Sequence, residues 1–230
     1  MASRARRRGV FVTGTDTEVG KTVVACGLLA AFAASGKKAV GMKPVACGGE
    51  PRAEVVVNDD VERLLAAGNV NAPRADVNPY CFAPPIAPHI AARQAGVTIE
   101  IGRIERSFDA LARLADVVVV EGVGGFQVPL GPGVDTAQLA VRLALPVVLV
   151  IGMRLGCLNH GLLTADAVRR RGLELVGWVA NHVDPDMAVA EDNVQALDER
   201  IGAPRIGRIS FLGDPDPRVV STSLRIPDLG

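Results

Sequence analysis

The stretch VTGTDTEVGKT, from Val12 to Thr22, decides the fold class of this chain. It ends in Gly-Lys-Thr, as does the phosphate-binding loop G-x-x-x-x-G-K-[ST]. The first glycine of that pattern is displaced, because Thr15 occupies its position and Gly14 stands one residue earlier. A predicted strand precedes the stretch and a predicted helix follows it, which is the context that a phosphate loop requires. We therefore interpret it as a variant phosphate loop, with a simple capped turn as the alternative.

The residue types of this loop suit a bound polyphosphate. Backbone N–H groups in the turn, and in the first helical turn from Lys21, would point at an anion. The Lys21 ammonium could reach the outer phosphates, and the Thr22 hydroxyl could bind Mg²⁺. Gly14 and Gly20 would allow close backbone approach or a positive φ. The loop thus predicts a nucleotide site with magnesium.

Apolar runs along the chain predict the rest of the fold. Five runs rich in Val and Ile are typical of buried parallel strands, and they are Gly9–Thr13, Ala39–Lys43, Val117–Glu121, Val147–Ile151 and Leu175–Asn181. Helical patterns alternate with them at Thr22–Ser35, Glu100–Leu114, Asp135–Leu145, His160–Arg171 and Ala188–Ile201. This alternation predicts a doubly wound α/β fold, with a mostly parallel sheet flanked by helices, of the P-loop NTPase type.

The chain is expected to form one domain. Residues 1–8 contain four arginines and predict a basic, flexible tail. No low-complexity linker divides residues 9–230, so we predict a single P-loop α/β domain there. The region 71–88 is rich in Pro and Asn and is interpreted as a long surface excursion.

Composition argues against several classes of partner. The 25 basic and 25 acidic residues cancel and aromatic residues make up 3%, so nucleic acid is not expected as a partner. Apolar runs are too short to span a bilayer, and no apolar stretch follows the basic start, so we predict neither a membrane segment nor a signal peptide. The four cysteines form no C-x-x-C pair, which favours reduced thiols and a cytoplasmic location.

Three charged positions could complete the phosphate site. Glu121 ends an apolar strand, where open α/β sheets bind ligands, and it could anchor Mg²⁺. Asp59 and Asp60 stand just before a predicted helix and could either bind metal or cap that helix. Lys43, at the end of the second predicted strand, could balance phosphate charge or could be a solvated edge lysine.

Several blocks of the sequence together resemble one enzyme family. They are FVTGTDTEVGKT (11–22), KPVACG (43–48), NPYCFAPPIAPHIAA (78–92), VEGVGGFQVPL (120–130), LGCLNHGLLT (155–164) and GWVANHVDP (177–185). Their order and content are similar to those of dethiobiotin synthetases, which carry out the penultimate step of biotin synthesis. The resemblance covers roughly residues 10–212, and the early Gly14 is a trait of that family.

The resemblance implies a reaction, cofactors and a quaternary structure. The family closes a cyclic urea on 7,8-diaminononanoate, using CO₂ and ATP with Mg²⁺, through a carbamate and a carbamic-phosphoric anhydride. A homodimer with active sites at the subunit interface is implied as well. In this chain the resemblance assigns Lys43, Lys21 and Thr17 to catalysis, and it assigns Thr22, Asp60 and Glu121 to Mg²⁺.

The resemblance also implies binding residues. For the nucleotide these are Glu18, Val19, Gly20, Lys21, Thr22, Val23, Asp60, Glu121, Gly124, Asn181, His182, Ser210, Phe211 and Leu212. For the substrate they are Thr17, Lys43, Cys47, Gly124 and, from the second subunit, the turn formed by Gly156, Cys157, Leu158 and Asn159. Cys47 replaces a serine common in the family, and Ser210 replaces a proline. We therefore expect a weaker side-chain contact at the first position and a looser base pocket at the second.

Two other functions share this kind of loop. A regulatory ATPase of the partitioning type would usually carry a second lysine near the start of the loop, but GTDTEVGK has none before Lys21. An amidotransferase-like synthetase of cobalamin synthesis would need a much longer chain with a glutaminase half. The ligase is the favoured prediction, and the partitioning-type switch is the alternative.

Overall fold

A parallel sheet forms the centre of the protein, as seen in a computed structural model that describes residues 8–53 and 55–229. Its strands are β1 (Gly9–Gly14), β2 (Ala39–Met42), β7 (Val117–Glu121), β10 (Val147–Met153), β11 (Leu175–His182) and β12 (Arg205–Ile209). Every adjacent pair in this sheet is parallel. The predicted α/β fold with a mostly parallel sheet is thereby confirmed, whereas residues 1–7 of the predicted tail lie outside the described residues.

The strand order is β12-β11-β10-β1-β7-β2, and it places the start of the phosphate loop at a particular point. From β1 the chain builds outward to one side through β2 and β7, and later to the other side through β10, β11 and β12. The order therefore reverses next to β1. Ligands of open α/β sheets bind at the carboxyl ends of the strands beside such a reversal.

Alternating side chains of the central strands enter two separate apolar layers. In β1, Val10 and Val12 lie on one face of the sheet and Phe11 lies on the other, all fully buried. In β7, Val118 and Val120 share the layer of Phe11. Because both faces are apolar, these strands appear in the sequence as continuous hydrophobic runs, as expected for a sheet covered on both sides.

Helices cover both faces. They are α1 (Lys21–Ala34), α2 (Asp59–Ala67), α3 (Arg74–Val77), α4 (Pro88–Gln94), α5 (Ile101–Ala112), α6 (Thr136–Leu143), α7 (Cys157–Arg170), α8 (Ala190–Arg200) and α9 (Pro217–Thr222). Helices α1 and α9 contact each other on the face of Val10. Helices α5 and α6 cover the face of Phe11, and α7 and α8 cover the same side over β10 and β11. In the described part of the chain, no helix is both long and apolar enough to cross a membrane.

The Pro- and Asn-rich region is not the surface excursion that we predicted. It contains α3 and the strand β6 (Tyr80–Phe82), which pairs in parallel with β3 (Val45–Cys47). Tyr80 and Phe82 are buried. The Lys43 N–H donates to the Val77 carbonyl at 2.8 Å, and the Lys43 carbonyl accepts from Asn78 Nδ2 at 2.6 Å. This region therefore fixes the backbone of the lysine that follows β2.

Two small antiparallel pairs complete the strands, and the prediction missed one strand of the central sheet. Strand β4 (Glu50–Arg52) pairs with β5 (Val55–Val57), and β8 (Pro129–Gly131) pairs with β9 (Val134–Asp135). The edge strand β12 has the sequence RIGRI, whose arginines hide the strand signal. Its outward positions can be charged because it borders only one other strand of the sheet.

The apolar spacing of α5 supplies a test of the packing. Leu111 is fully buried, whereas Leu114, which we had included in the predicted helix, lies beyond its end and is 44% exposed. We expect Leu111→Ala to lower the free energy of unfolding by about 2–5 kcal/mol because it leaves a cavity. The matched variant Leu114→Ala should change it by less than about 1 kcal/mol. Urea unfolding curves measure both, and equal losses would contradict this account of α5.

Candidate functional site

The displaced glycine of the phosphate loop has a packing reason. Strand β1 continues through Gly14, where an added Cβ would lie 2.6 Å from Val19 Cγ2 and 3.0 Å from Lys21 Cγ. A side chain at this position would therefore collide with the returning loop. The next residue, Thr15, donates its N–H to the Val150 carbonyl of β10 at 3.1 Å. Glycine is needed at residue 14, while residue 15 can be threonine.

The loop then turns through left-handed backbone conformations. Glu18 has φ +58° and Gly20 has φ +85°, and α1 begins directly after Gly20. The first turn of a helix has backbone N–H groups with no acceptor inside the helix, and here these belong to Lys21, Thr22 and Val23. Together with the positive end of the helix dipole, they form an anion-binding concavity.

Asn181 holds the loop from the opposite wall. It lies in β11 and donates from Nδ2 to the Val19 carbonyl at 2.9 Å. An added Cβ on Gly20 would lie only 2.0 Å from the same nitrogen. The glycine is thus required for two reasons, its positive φ and the contact with Asn181. Val19 itself is buried beneath the loop.

A compact ionic cluster lies beside the loop. Lys43 Nζ donates to Glu121 Oε1 at 2.5 Å and to Asp60 Oδ2 at 2.8 Å. Thr22 Oγ1 donates to the same Glu121 oxygen at 2.8 Å. Glu121 is 1% exposed, and its second oxygen, Oε2, has no hydrogen-bond partner among the described residues. The sequence had predicted these four side chains as parts of one site, and the structure brings them together.

The cluster decides two alternatives that the sequence left open. Lys43 is 4% exposed and paired with two carboxylates, so the interpretation as a solvated edge lysine is wrong. Helix α2 is capped by Asn58, whose side chain accepts from the Val61 N–H, and both Asp59 and Asp60 lie inside its first turn. Capping therefore does not account for Asp60, whose side chain contacts Lys43 instead.

Burial and neighbouring charges shift the titration of these groups. Burial lowers the pKa of Lys21 to about 8, and the like charge of Lys43 adds to this. Burial acts against the Lys43 ammonium too, but Glu121 and Asp60 offset it and raise the Lys43 pKa above its ordinary value. Burial raises the pKa of Glu121, opposed by Lys43. The cluster thus keeps Lys43 charged, whereas the pKa of Lys21 lies nearer to neutral pH, and a bound anion would raise it.

Two cavities adjoin at the loop. The larger, of about 870 Å³, is lined by eleven of the predicted site residues, namely Thr17, Glu18, Gly20, Lys21, Thr22, Val23, Lys43, Cys47, Asp60, Glu121 and Gly124. The smaller, of about 240 Å³, is lined by Asn181, His182, Ser210, Phe211 and Leu212, and it shares Glu18, Gly20 and Val23 with the larger. The arrangement offers a polar chamber for phosphates beside a smaller, mixed pocket.

Some predicted residues lie elsewhere. Val19 lines neither cavity, although its carbonyl meets Asn181. Gly156, Cys157, Leu158 and Asn159 also line neither cavity of this chain. The last three form the first turn of α7 rather than a free turn, and Gly156 precedes them with φ +94°. The Cys157 side chain is buried, so only its backbone is available there to a ligand.

Sequence reasoning also missed several lining residues. Arg63, Val123, Val128 and Gly213 line the larger cavity, together with the segment Pro85–Pro88. Ile209, Val183 and Pro215 line the smaller one. The spacing from Asp60 could have indicated Arg63, because residues three apart share a helix face. The prolines gave no comparable signal, since their place depends on how the region around β6 folds back.

Solved structures and a family model agree on the class of protein. The MinD cell division protein of Aquifex aeolicus is 16% identical with a TM-score of 0.55, covering 96% of this chain and 87% of that one. A ParA family ATPase from Chlorobium tepidum TLS is 12% identical with a TM-score of 0.56, covering 94% and 90%. A family model described as an AAA domain matches residues 8–218. Fold and loop together define a P-loop nucleotide-binding α/β protein.

Sequence relatives narrow the class. Proteins named ATP-dependent dethiobiotin synthetase from Aromatoleum aromaticum and Ralstonia nicotianae are each 52% identical, over 96% and 95% of this chain and 98% and 96% of theirs. The protein of that name from Nitrosospira multiformis is 51% identical over 97% of both chains. The chain belongs to the ATP-dependent dethiobiotin synthetase family and is accordingly an ATP-dependent ligase.

Two glycines with the same backbone conformation test the loop. Gly36 has φ +84° with open space where a Cβ would be, whereas Gly20 has φ +85° and a Cβ position against Asn181. We expect Gly36→Ala to destabilise by about 1 kcal/mol and to leave nucleotide binding unchanged. Gly20→Ala should destabilise more and should also weaken nucleotide binding, measured by titration calorimetry. If Gly20→Ala bound nucleotide as tightly as the wild type, the geometry of the loop would not be needed for nucleotide binding.

Proposed function

We propose that this protein makes dethiobiotin from 7,8-diaminononanoate, CO₂ and ATP, with ADP and phosphate as the other products. One observation supports this most: the phosphate loop, Lys43, Asp60 and Glu121 meet in one large cavity of a chain about 52% identical to named dethiobiotin synthetases. The likeness to MinD and ParA proteins concerns the fold alone. The loop has no lysine before Lys21, so nothing favours the partitioning-type switch.

The proposed reaction has three bond-forming steps. One amine of the substrate attacks CO₂ and loses a proton, which gives a carbamate. A carbamate oxygen then attacks the γ-phosphorus of ATP, ADP leaves, and a carbamic-phosphoric anhydride forms. The second amine attacks the anhydride carbonyl carbon and loses a proton, the C–O bond to phosphate breaks, and the cyclic urea closes. Phosphorylation is needed because phosphate is a far better leaving group than an oxide ion.

Charge and position are what such a phosphoryl transfer asks of a protein. In the proposal, the backbone from Glu18 to Thr22 holds the phosphates, and Lys21 contacts the outer ones. Lys43 is the catalytic lysine, which faces the carbamate and the γ-phosphate. The raised pKa of Lys43 supports this, since a permanently charged ammonium can stabilise the negative charge that develops during transfer.

Magnesium fits the oxygen atoms of the cluster. Thr22, Asp60 and Glu121 offer a hydroxyl and two carboxylates, the hard donors that Mg²⁺ prefers, and the buried Glu121 Oε2 has no partner among the described residues. Among the residues that the structure describes, no group of three or more His, Cys, Asp or Glu side chains could hold a metal by itself. Mg²⁺ usually takes one or two carboxylates and completes its shell with phosphates and water. When bound, Mg²⁺ would neutralise phosphate charge.

The smaller cavity is the proposed site of the base. Asn181 and His182 come from the end of β11, and Ser210, Phe211 and Leu212 follow β12. His182 Nε2 accepts from Arg208 at 3.1 Å, and burial followed by the Arg208 charge lowers the His182 pKa. A neutral imidazole suits a pocket for an uncharged base. Ser210 is exposed at the rim, in keeping with a looser pocket there.

The substrate site is proposed to be shared between two copies of the chain. Thr17, Cys47 and Gly124 line the larger cavity and would contact the amine-bearing end of the substrate. The segment from Gly156 to Asn159 of a second copy would bind its carboxylate. Exposed apolar side chains beside that segment support an interface there, because Leu155 is 96% and Leu163 is 61% exposed. The proposed assembly is a homodimer, in which residues 9–230 of each copy act as one domain.

A cytoplasmic location is also part of the proposal. The four cysteines are free in the structure, in keeping with a reducing compartment where ATP is abundant. Burial raises the pKa of Cys47 to about 11, so its thiol stays neutral beside the proposed substrate.

Direct product detection tests the proposal. Purified protein is incubated with 7,8-diaminononanoate, bicarbonate and MgATP, and the mixture is analysed by mass spectrometry. We expect dethiobiotin in equal amount to the ADP released. Chelation of Mg²⁺ with EDTA should stop both, and excess Mg²⁺ should restore them. ATP hydrolysis that never yields a cyclic urea would refute the ligase function.

The role of Lys43 is tested by substitution. We expect Lys43→Ala to lower kcat by at least about a hundredfold, because a charge that stabilises the transition state is lost. Nucleotide binding should be largely retained, since Lys21 and the loop backbone remain. The exposed residue Lys38, at the other end of β2, supplies the control variant Lys38→Ala, which should keep full activity. Activity of Lys43→Ala close to that of the control would exclude Lys43 from the mechanism.

A further inference from the structure

Among the described residues that line the larger cavity, Arg63 is the one arginine, and the proposed reaction has not used it. It lies on α2, three residues after Asp60, and both side chains face that cavity. Its guanidinium donates from Nη2 to Asp214 Oδ1 at 2.7 Å. Asp214 belongs to the segment between β12 and α9, so the pair joins two distant parts of the chain.

The pair joins two segments that line the proposed nucleotide site. Gly213, next to Asp214, lines the larger cavity, whereas Phe211 and Leu212 line the smaller one. Arg63 lines only the larger of these two cavities. The guanidinium therefore lies toward the phosphate chamber rather than toward the pocket proposed for the base.

The charges in this chamber are not equally available to a ligand. Lys43 is held between two carboxylates, and Glu121 is almost fully buried. Lys21 donates to a backbone carbonyl, that of Asp16, at 2.8 Å. The Arg63 side chain is 38% exposed, and its carboxylate partner Asp214 is 87% exposed. Water screens such a pair strongly, so its contribution to stability is small and exchange of the partner costs little.

We propose that Arg63 binds a phosphate group of the bound nucleotide and gives up Asp214 to do so. This rests on the proposed function, because it requires ATP in the larger cavity. The planar guanidinium matches two phosphate oxygens at once, and a charge-assisted pair of this kind is stronger than a solvated contact with a carboxylate. Asp214 then competes with the nucleotide for Arg63, and it pairs with Arg63 when no nucleotide is bound.

Four proteins decide the matter: the wild type, Arg63→Gln, Asp214→Asn and the double variant. Dissociation constants for MgATP and for adenosine are measured by competition with a fluorescent ATP analogue. Arg63→Gln should raise the MgATP dissociation constant about tenfold and leave that of adenosine unchanged, since adenosine has no phosphate. Asp214→Asn should lower the MgATP dissociation constant. In the double variant that gain should vanish, because the competition acts only through Arg63.

Other results would overturn the inference. Equal weakening by both single variants would identify the pair as a latch rather than a competition. If Arg63→Gln weakened adenosine binding as much as MgATP binding, Arg63 would contact the base or the ribose instead of a phosphate. If the double variant still bound MgATP more tightly than Arg63→Gln alone, the effect of Asp214→Asn would come from general charge repulsion between Asp214 and the phosphates. Unchanged MgATP binding by Arg63→Gln would also overturn it, whereas a wild type that binds no MgATP would refute the proposed function itself.

Two further variants guard against trivial effects. Arg200 forms a comparable exposed pair with Glu199 at 3.1 Å and lines neither cavity, so Arg200→Gln should not alter MgATP binding. Arg63→Lys keeps the charge without the planar fork and should fall between the wild type and Arg63→Gln. If Arg63→Gln failed to fold, Arg63→Lys and Asp214→Asn would still give the two opposite changes that the inference requires.

Discussion

The site depends on a buried ammonium between two carboxylates. Lys43 and Glu121 would each be costly to bury alone, because a lone charge loses its hydration, whereas Asp60 is partly exposed. Lys43 contacts the two carboxylates at 2.5 and 2.8 Å, and Thr22 adds a further hydrogen bond to Glu121. Removal of Lys43 would leave Glu121 as an uncompensated charge in the interior. The cluster therefore fixes the relative positions of β2, β7, α2 and the phosphate loop.

The parallel sheet makes this cluster possible. Strands β1, β2 and β7 are neighbours, so their carboxyl ends meet at one edge and deliver the loop, Lys43 and Glu121 to the same place. Helix α2 adds Asp60 because Asn58 caps it and begins the helix one residue before Asp59. The region around β6 then fixes the Lys43 backbone through Val77 and Asn78. Five segments distant in sequence thus support one chamber.

Much of this could be predicted from the sequence, for a physical reason. A strand buried on both faces must be apolar throughout, so β1, β7 and β10 were readable, as was the loop between β1 and α1. The edge strand β12 escaped because its arginines face water. The interior place of Tyr80 and the lining position of Pro85 depend on tertiary contacts, which local patterns do not encode. Arg63 had a local signal in its spacing from Asp60, but its pairing with Asp214, 151 residues away, had none.

The bond from Asn181 to the loop has a consequence for the smaller cavity. A side-chain amide carries two N–H donors and one carbonyl acceptor, and the Val19 carbonyl takes one of the donors. Asn181 lines the smaller cavity, so its oxygen and its second N–H are the groups that it can still offer to a ligand there. The same hydrogen bond that shapes the phosphate loop thereby fixes the orientation of a donor and an acceptor in the neighbouring pocket.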